Sequence, residues 1–89
     1  MDFDWSIYDE ARCAPCQAVE ECFEDPFSLR LMPDLPGGGH RFFCLGQDTA
    51  SRHWLVVYDA NGKQGRVIFS REMTGGERSF YERKLREGL

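Results

Sequence analysis

At 89 residues the chain holds one domain with a single core and no room for a second. With 42% hydrophobic and 13% aromatic residues it can bury that core, which excludes disorder, and no apolar run approaches the roughly 20 residues of a bilayer span. The net charge of −4 argues against indiscriminate nucleic-acid binding, and the acidic N-terminus lacks the basic region of a secretory signal, so the expectation is a cytoplasmic protein without a membrane partner.

The charge is unevenly spread. Residues 1–36 hold nine acids and two bases, whereas residues 63–89 hold seven bases and four acids. A basic surface can therefore coexist with an acidic total.

Phe3, Trp5 and Ile7 alternate with polar residues and predict a short extended segment. Pro15 suits the first turn of a helix whose apolar face carries Cys16, Val19 and Phe23. Asp25-Pro26 ends it, because a residue before proline avoids the α region. Residues 27–32 fit a strand, and residues 33–39 (PDLPGGG) a loop. Strands follow at 41–45 and 53–58, and Asn61-Gly62 marks a hairpin into a strand at 66–70. Val67, Ile68 and Phe69 are β-branched or aromatic, as a strand prefers. Thr74 and Glu77 have capping-box spacing, which starts a helix over 75–86 with Phe80, Tyr81 and Leu85 on its buried face. The expected architecture over residues 1–89 is α+β: an N-terminal helix, an antiparallel sheet of three to four strands and a C-terminal helix.

Arg66 and Arg71 bracket the Val67–Phe69 run, and guanidinium groups on a rigid sheet match phosphate oxygens well. Their odd separation puts them on opposite faces of a regular strand. They converge only if the strand ends or bulges before Arg71.

The segment with Arg66, Ile68, Arg71, Met73, Thr74, Glu77, Arg78 and Tyr81 resembles the signature of BrnT-type toxins. These are small RelE-related ribonucleases of type II toxin–antitoxin systems. Arg41, Leu45 and Gly46, the run Leu55-Val56-Val57-Tyr58, Phe3 and Trp5, and Phe23 to Pro26 fit the same pattern. The resemblance implies cleavage of RNA without metal or cofactor, and neutralisation by a ribbon-helix-helix antitoxin that covers the basic site. It points to Arg66 and Arg71 as catalytic cations. Where such chains carry a Lys-His-Gly element, this one has Cys13-Ala14-Pro15-Cys16, and Gly75 and Gly76 stand where basic residues are common.

Metal-free RNA cleavage needs a base for the ribose 2′-hydroxyl, cations for the phosphorane and an acid for the leaving oxygen. His53 is the candidate acid or base, since imidazole titrates near neutrality. Arg41, Arg52 and Arg78 are candidate substrate-binding cations. A non-catalytic protein-binding module or inhibitor on the same fold is the alternative, using the acidic N-terminal half as its contact surface. Asp2, Asp4, Asp9 and Glu10 form one acidic cluster there, and Glu20, Glu21, Glu24 and Asp25 another; a solvated helix face is the ordinary explanation of such clusters. Cys13-Ala14-Pro15-Cys16 also has the form of a thiol redox motif, but lacks a preceding core strand. Zinc would have to recruit Cys22, Cys44, His40 or His53 without a second paired spacing. The expectation is therefore no metal, with Cys16 and Cys22 as small core residues.

Overall fold

The computed structural model describes residues 2–32 and 41–88; the loop expected at 33–39, and His40, lie outside them. The elements in chain order are β1 (Asp2–Asp4), α1 (Cys16–Glu24), β2 (Leu29–Leu31), β3 (Arg41–Gln47), β4 (His53–Asn61), β5 (Gln64–Glu72) and α2 (Gly75–Glu87). One sheet contains all five strands in the order β1-β5-β4-β3-β2. The chain starts at one edge, crosses to the other through α1, and returns as the β2–β5 meander.

The α+β class agrees with the sequence, but the sheet is larger than the expected three to four antiparallel strands. β1 pairs parallel to β5, and β2 joins antiparallel to β3. Each is only three residues long, too short for alternation to register in sequence. The expected extended segment stops at Asp4 because its carboxylate accepts a hydrogen bond from Ser6 N–H at 2.9 Å, an Asx turn that redirects the backbone. Ile7 consequently lies exposed, outside the alternating pattern. Likewise the strand expected at 27–32 shrinks to Leu29–Leu31, since Asp25 Oδ1 accepts from Phe27 N–H at 3.0 Å and holds a turn there.

The β3–β4–β5 strands pair antiparallel as their sequence pattern predicts. Gly62 turns the β4–β5 hairpin at φ +63, a left-handed conformation that glycine adopts without steric cost. β5 carries one extra residue: Val57 pairs with Phe69 but Tyr58 with Val67, leaving Ile68 as a β-bulge.

α1 lies over one face. Val19 and Cys22 pack fully buried against Cys44, Val56 and Val67, and the rings of Phe3, Trp5, Phe23 and Tyr58 close the cluster. Gly46 permits the approach, since a Cβ there would stand 2.7 Å from the Cys22 carbonyl oxygen. Cys16, expected in the core beside Cys22, is only partly covered; Cys44 takes that place. On the opposite face α2 seats Tyr81 against Leu45 and Leu55. Its capping box is complete: Thr74 Oγ1 accepts from Glu77 N–H, and Glu77 Oε1 accepts from Thr74 N–H.

Candidate functional site

The β3–β4 connection is organised by one carboxylate. Asp48 Oδ1 accepts from Ala50 N–H and Arg52 N–H, both at 2.9 Å, and Oδ2 accepts from the Trp54 indole at 2.8 Å. Burial opposes ionisation of Asp48, but these donors and the Arg52 charge outweigh it and hold the carboxyl below its ordinary value. The turn forces Ser51 to φ 66, an uncommon left-handed conformation for a residue with a side chain. The outcome is a fixed loop that presents Ser51 and Arg52 at the start of β4.

Beside it lies a polar cleft of about 230 Å³ lined by Ser51, Arg52, His53, Glu72, Met73 and Arg78. Its size falls below the roughly 300–1,000 Å³ of small-molecule pockets and suits a phosphate-sized group. Arg52 is supported by the Trp54 ring, 5.8 Å from its guanidinium carbon. The His53 ring stands edge-on to Tyr81 at 5.5 Å, while the His53 carbonyl accepts from Met73 N–H at 3.1 Å and ties β4 to the end of β5. Arg78 projects from the first turns of α2 and bonds Glu82 at 3.0 Å, both side chains being more than half or about half exposed. Such an exposed pair is worth little and yields readily to a better anion.

Tyr81, against which His53 stands, is itself held in place. Its hydroxyl donates to Asp25 Oδ2 at 2.5 Å, and the same oxygen accepts from Gln47 N–H. Burial, reinforced by Asp25, pushes the Tyr81 phenol well above its ordinary range, so it stays a neutral donor. Asp25 and Glu21, read in sequence as part of a solvated acidic cluster, are thus in use. Glu21 Oε1 accepts from Thr49 N–H at 3.1 Å, joining α1 to the β3–β4 connection.

Arg71 borders the cleft without lining it. Its guanidinium makes a two-pronged bond to Glu77 at 2.8 and 2.9 Å and also donates to the Glu72 carbonyl. Hydrogen bonding by Arg71 holds the Glu77 carboxyl down at about 2. Arg66 lies elsewhere. The bulge at Ile68 brings Arg66 onto the same face as Arg71, since their partners Asp59 and Leu55 are four residues apart on β4. Four strand steps still separate the two arginines, about 13 Å. Arg66 bonds Asp4 at 3.0 Å, and Arg41 bonds Asp59 at 3.1 Å.

The candidate residues therefore fall into two groups. Arg52, His53 and Arg78 meet in one cleft, with Arg71 clamped beside it; Arg41 and Arg66 sit toward the other end of the sheet. Ser51 and Glu72 are cleft residues that sequence reasoning did not single out, and Met73, named only in the resemblance, lines the cleft with them. Only Asp48, as an Asx-turn former, could have signalled the loop.

No protein-family model and no curated protein matches this chain. Among the described residues, no group of three or more His, Cys, Asp or Glu side chains is placed to hold a metal, and no helix is long and apolar enough to cross a membrane. The four cysteines are free thiols. Turns rather than a core strand precede Cys13. Partial burial and the nearby Glu10 carboxylate raise the Cys16 thiol, which lowers its thiolate fraction.

Proposed function

We propose that the protein is a BrnT-like endoribonuclease that cleaves RNA by transesterification in the Arg52–His53–Arg78 cleft. The observation that carries the proposal is the convergence of two cations, an imidazole and a carboxylate on one phosphate-sized cleft. In this reading Arg52 and Arg78 hold the scissile phosphate and stabilise the charge that grows on the phosphorane. Glu72 takes the proton of the ribose 2′-hydroxyl as the 2′-oxygen bonds to phosphorus. The bond from phosphorus to the 5′-oxygen breaks, and His53 gives that oxygen a proton. The products are a 2′,3′-cyclic phosphate and a 5′-hydroxyl. Arg71, through Glu77, positions the start of α2 and with it Arg78. Arg41 and Arg66 take no part in the reaction. A ribbon-helix-helix antitoxin is the proposed partner, covering the cleft in the cytoplasm.

The test is incubation of purified protein with RNA in chelator. Cleavage is expected from the wild type, with a loss of about 10²–10⁴-fold in His53→Ala. An inactive wild type, or full activity in His53→Ala, refutes the assignment.

A second reading, a non-catalytic binding module, draws on a different observation. Arg41, Arg66 and Arg71 each already hold a carboxylate, so three of the arginines on the sheet are already engaged and less available to a polyanion. RNA binding without cleavage, or no RNA binding at all, favours it.

A further inference from the structure

We propose that Asp25 and Tyr81 are positioning residues for His53, with one carboxylate oxygen fixing the imidazole in the cleft by two separate routes. The proposal rests on the reading of His53 as the group that protonates the leaving oxygen. It gives a role to a carboxylate that does not line that cleft.

Asp25 is itself held from both sides. It ends α1, where its backbone N–H donates to the Cys22 and Glu21 carbonyls, and its Oδ1 accepts from Phe27 N–H at 3.0 Å. Oδ2 is thereby presented to two donors from different elements. One is the Tyr81 hydroxyl of α2. The other is Gln47 N–H at the end of β3, at 3.0 Å. A charged acceptor strengthens both bonds relative to a neutral one.

Both donors lead to His53. Gln47 is the residue paired with His53 across the β3–β4 ladder, so the bond to Gln47 steadies the backbone from which the imidazole springs. Tyr81 supports the imidazole directly. The two rings stand 5.5 Å apart with their planes at 80°, the edge-to-face arrangement that aromatic pairs favour. Tyr81 is 1% exposed and packs with Leu45 and Leu55, so its ring does not follow a moving imidazole. Among the described residues the His53 side chain makes no hydrogen bond; packing orients it and leaves its nitrogens to a substrate oxygen. A phenol tethered at its hydroxyl end is a stiffer support than an untethered ring. Stiffness matters here because a displacement of about 1 Å is enough to slow a proton transfer severely.

Nuclear magnetic resonance and kinetics on the full chain test the proposal together. The protein has two histidines, so its imidazole resonances form two sets, and His53→Ala assigns them. Tyr81→Phe keeps the aromatic ring, and with it the shielding of the imidazole, but deletes the bond to Asp25. Asp25→Asn removes the charge at the other end of that bond. Each variant should shift the His53 resonances and lower kcat on RNA by about 10–100-fold at unchanged KM. Val67→Ala opens the core against α1 on the other face of the sheet; it should lower the melting temperature and move neither readout. Circular dichroism checks that each variant is folded. His53 resonances that neither Tyr81→Phe nor Asp25→Asn moves, or that Val67→Ala moves as far, overturn the proposal and leave the cleft assignment standing. Shifted resonances with kcat unchanged also overturn it. A wild type that cuts no RNA refutes the ribonuclease reading instead, and the resonances still decide whether Asp25 and Tyr81 hold the imidazole.

Discussion

Replacing Glu77 with glutamine separates charge from capping at the junction that positions Arg78. Glutamine can still accept from Thr74 N–H, so the capping box persists, while the two-pronged ion pair to Arg71 loses its charge. A carboxyl moved from 4.5 to about 2 corresponds at face value to ~3 kcal/mol. The Arg71 side chain is 41% exposed, so solvent screening reduces this to about 1–2 kcal/mol. In a domain of this size that lowers the melting temperature by about 5–10 °C. The pH dependence carries the sharper test. Because the folded-state value is depressed, the contribution is complete above the ordinary 4.5 and disappears as pH falls through about 2. Melting curves of the wild type and Glu77→Gln, recorded from neutral pH downward, should converge through that window. Glu77→Ala should lose a further ~1 kcal/mol at neutral pH through the broken cap. An offset that stays constant down to the acid limit, or no offset at neutral pH, refutes the reasoning.

Gly46→Ala forces a Cβ to within 2.7 Å of the Cys22 carbonyl oxygen and should cost about 1–3 kcal/mol, read as a lower denaturant midpoint. Ser70→Ala removes the buried hydroxyl that accepts from Ala14 N–H at 2.9 Å and bonds the Tyr8 hydroxyl at 2.7 Å; leaving those groups short of a partner should cost about 1–3 kcal/mol and increase proteolysis near residue 14. Burial pushes the Cys44 thiol up to about 12 and the Cys22 thiol higher still, so a thiol reagent at about pH 8 should label neither until the protein unfolds.

The meander and α2 were legible because their signals are local: alternation over strands of seven to nine residues, a glycine turn, and a capping box closed between Thr74 and Glu77. β1 and β2 were not, because what fixes a three-residue strand is its distant neighbour. The same holds for charge. Arg66 and Asp4 are 62 positions apart, so nothing near Arg66 announces that its guanidinium is engaged. Arg71 shows how one residue can be read two ways. Its strand-end position suggested a phosphate ligand, yet the Glu77 identified as a capping residue is also its ion-pair partner. The bulge at Ile68 decided which faces the arginines share, and no residue in Val67–Phe69 encodes it visibly. In the cleft, Arg52, His53 and Arg78 were named one at a time from residue type. Their convergence depends on Asp48 closing a local turn, which its residue type could have signalled, and on α2 crossing the end of β4, a tertiary fact.

The proposed cleft is tested most directly by titrating the isotope-labelled protein with a 2′-deoxy dinucleotide, which carries the phosphate of the proposed substrate but lacks the attacking hydroxyl. Amide shifts should concentrate on Ser51, Arg52, His53, Glu72 and Arg78, and their midpoint should weaken with salt. Shifts centred on Arg41 and Arg66, or none at all, would contradict the cleft as the phosphate site.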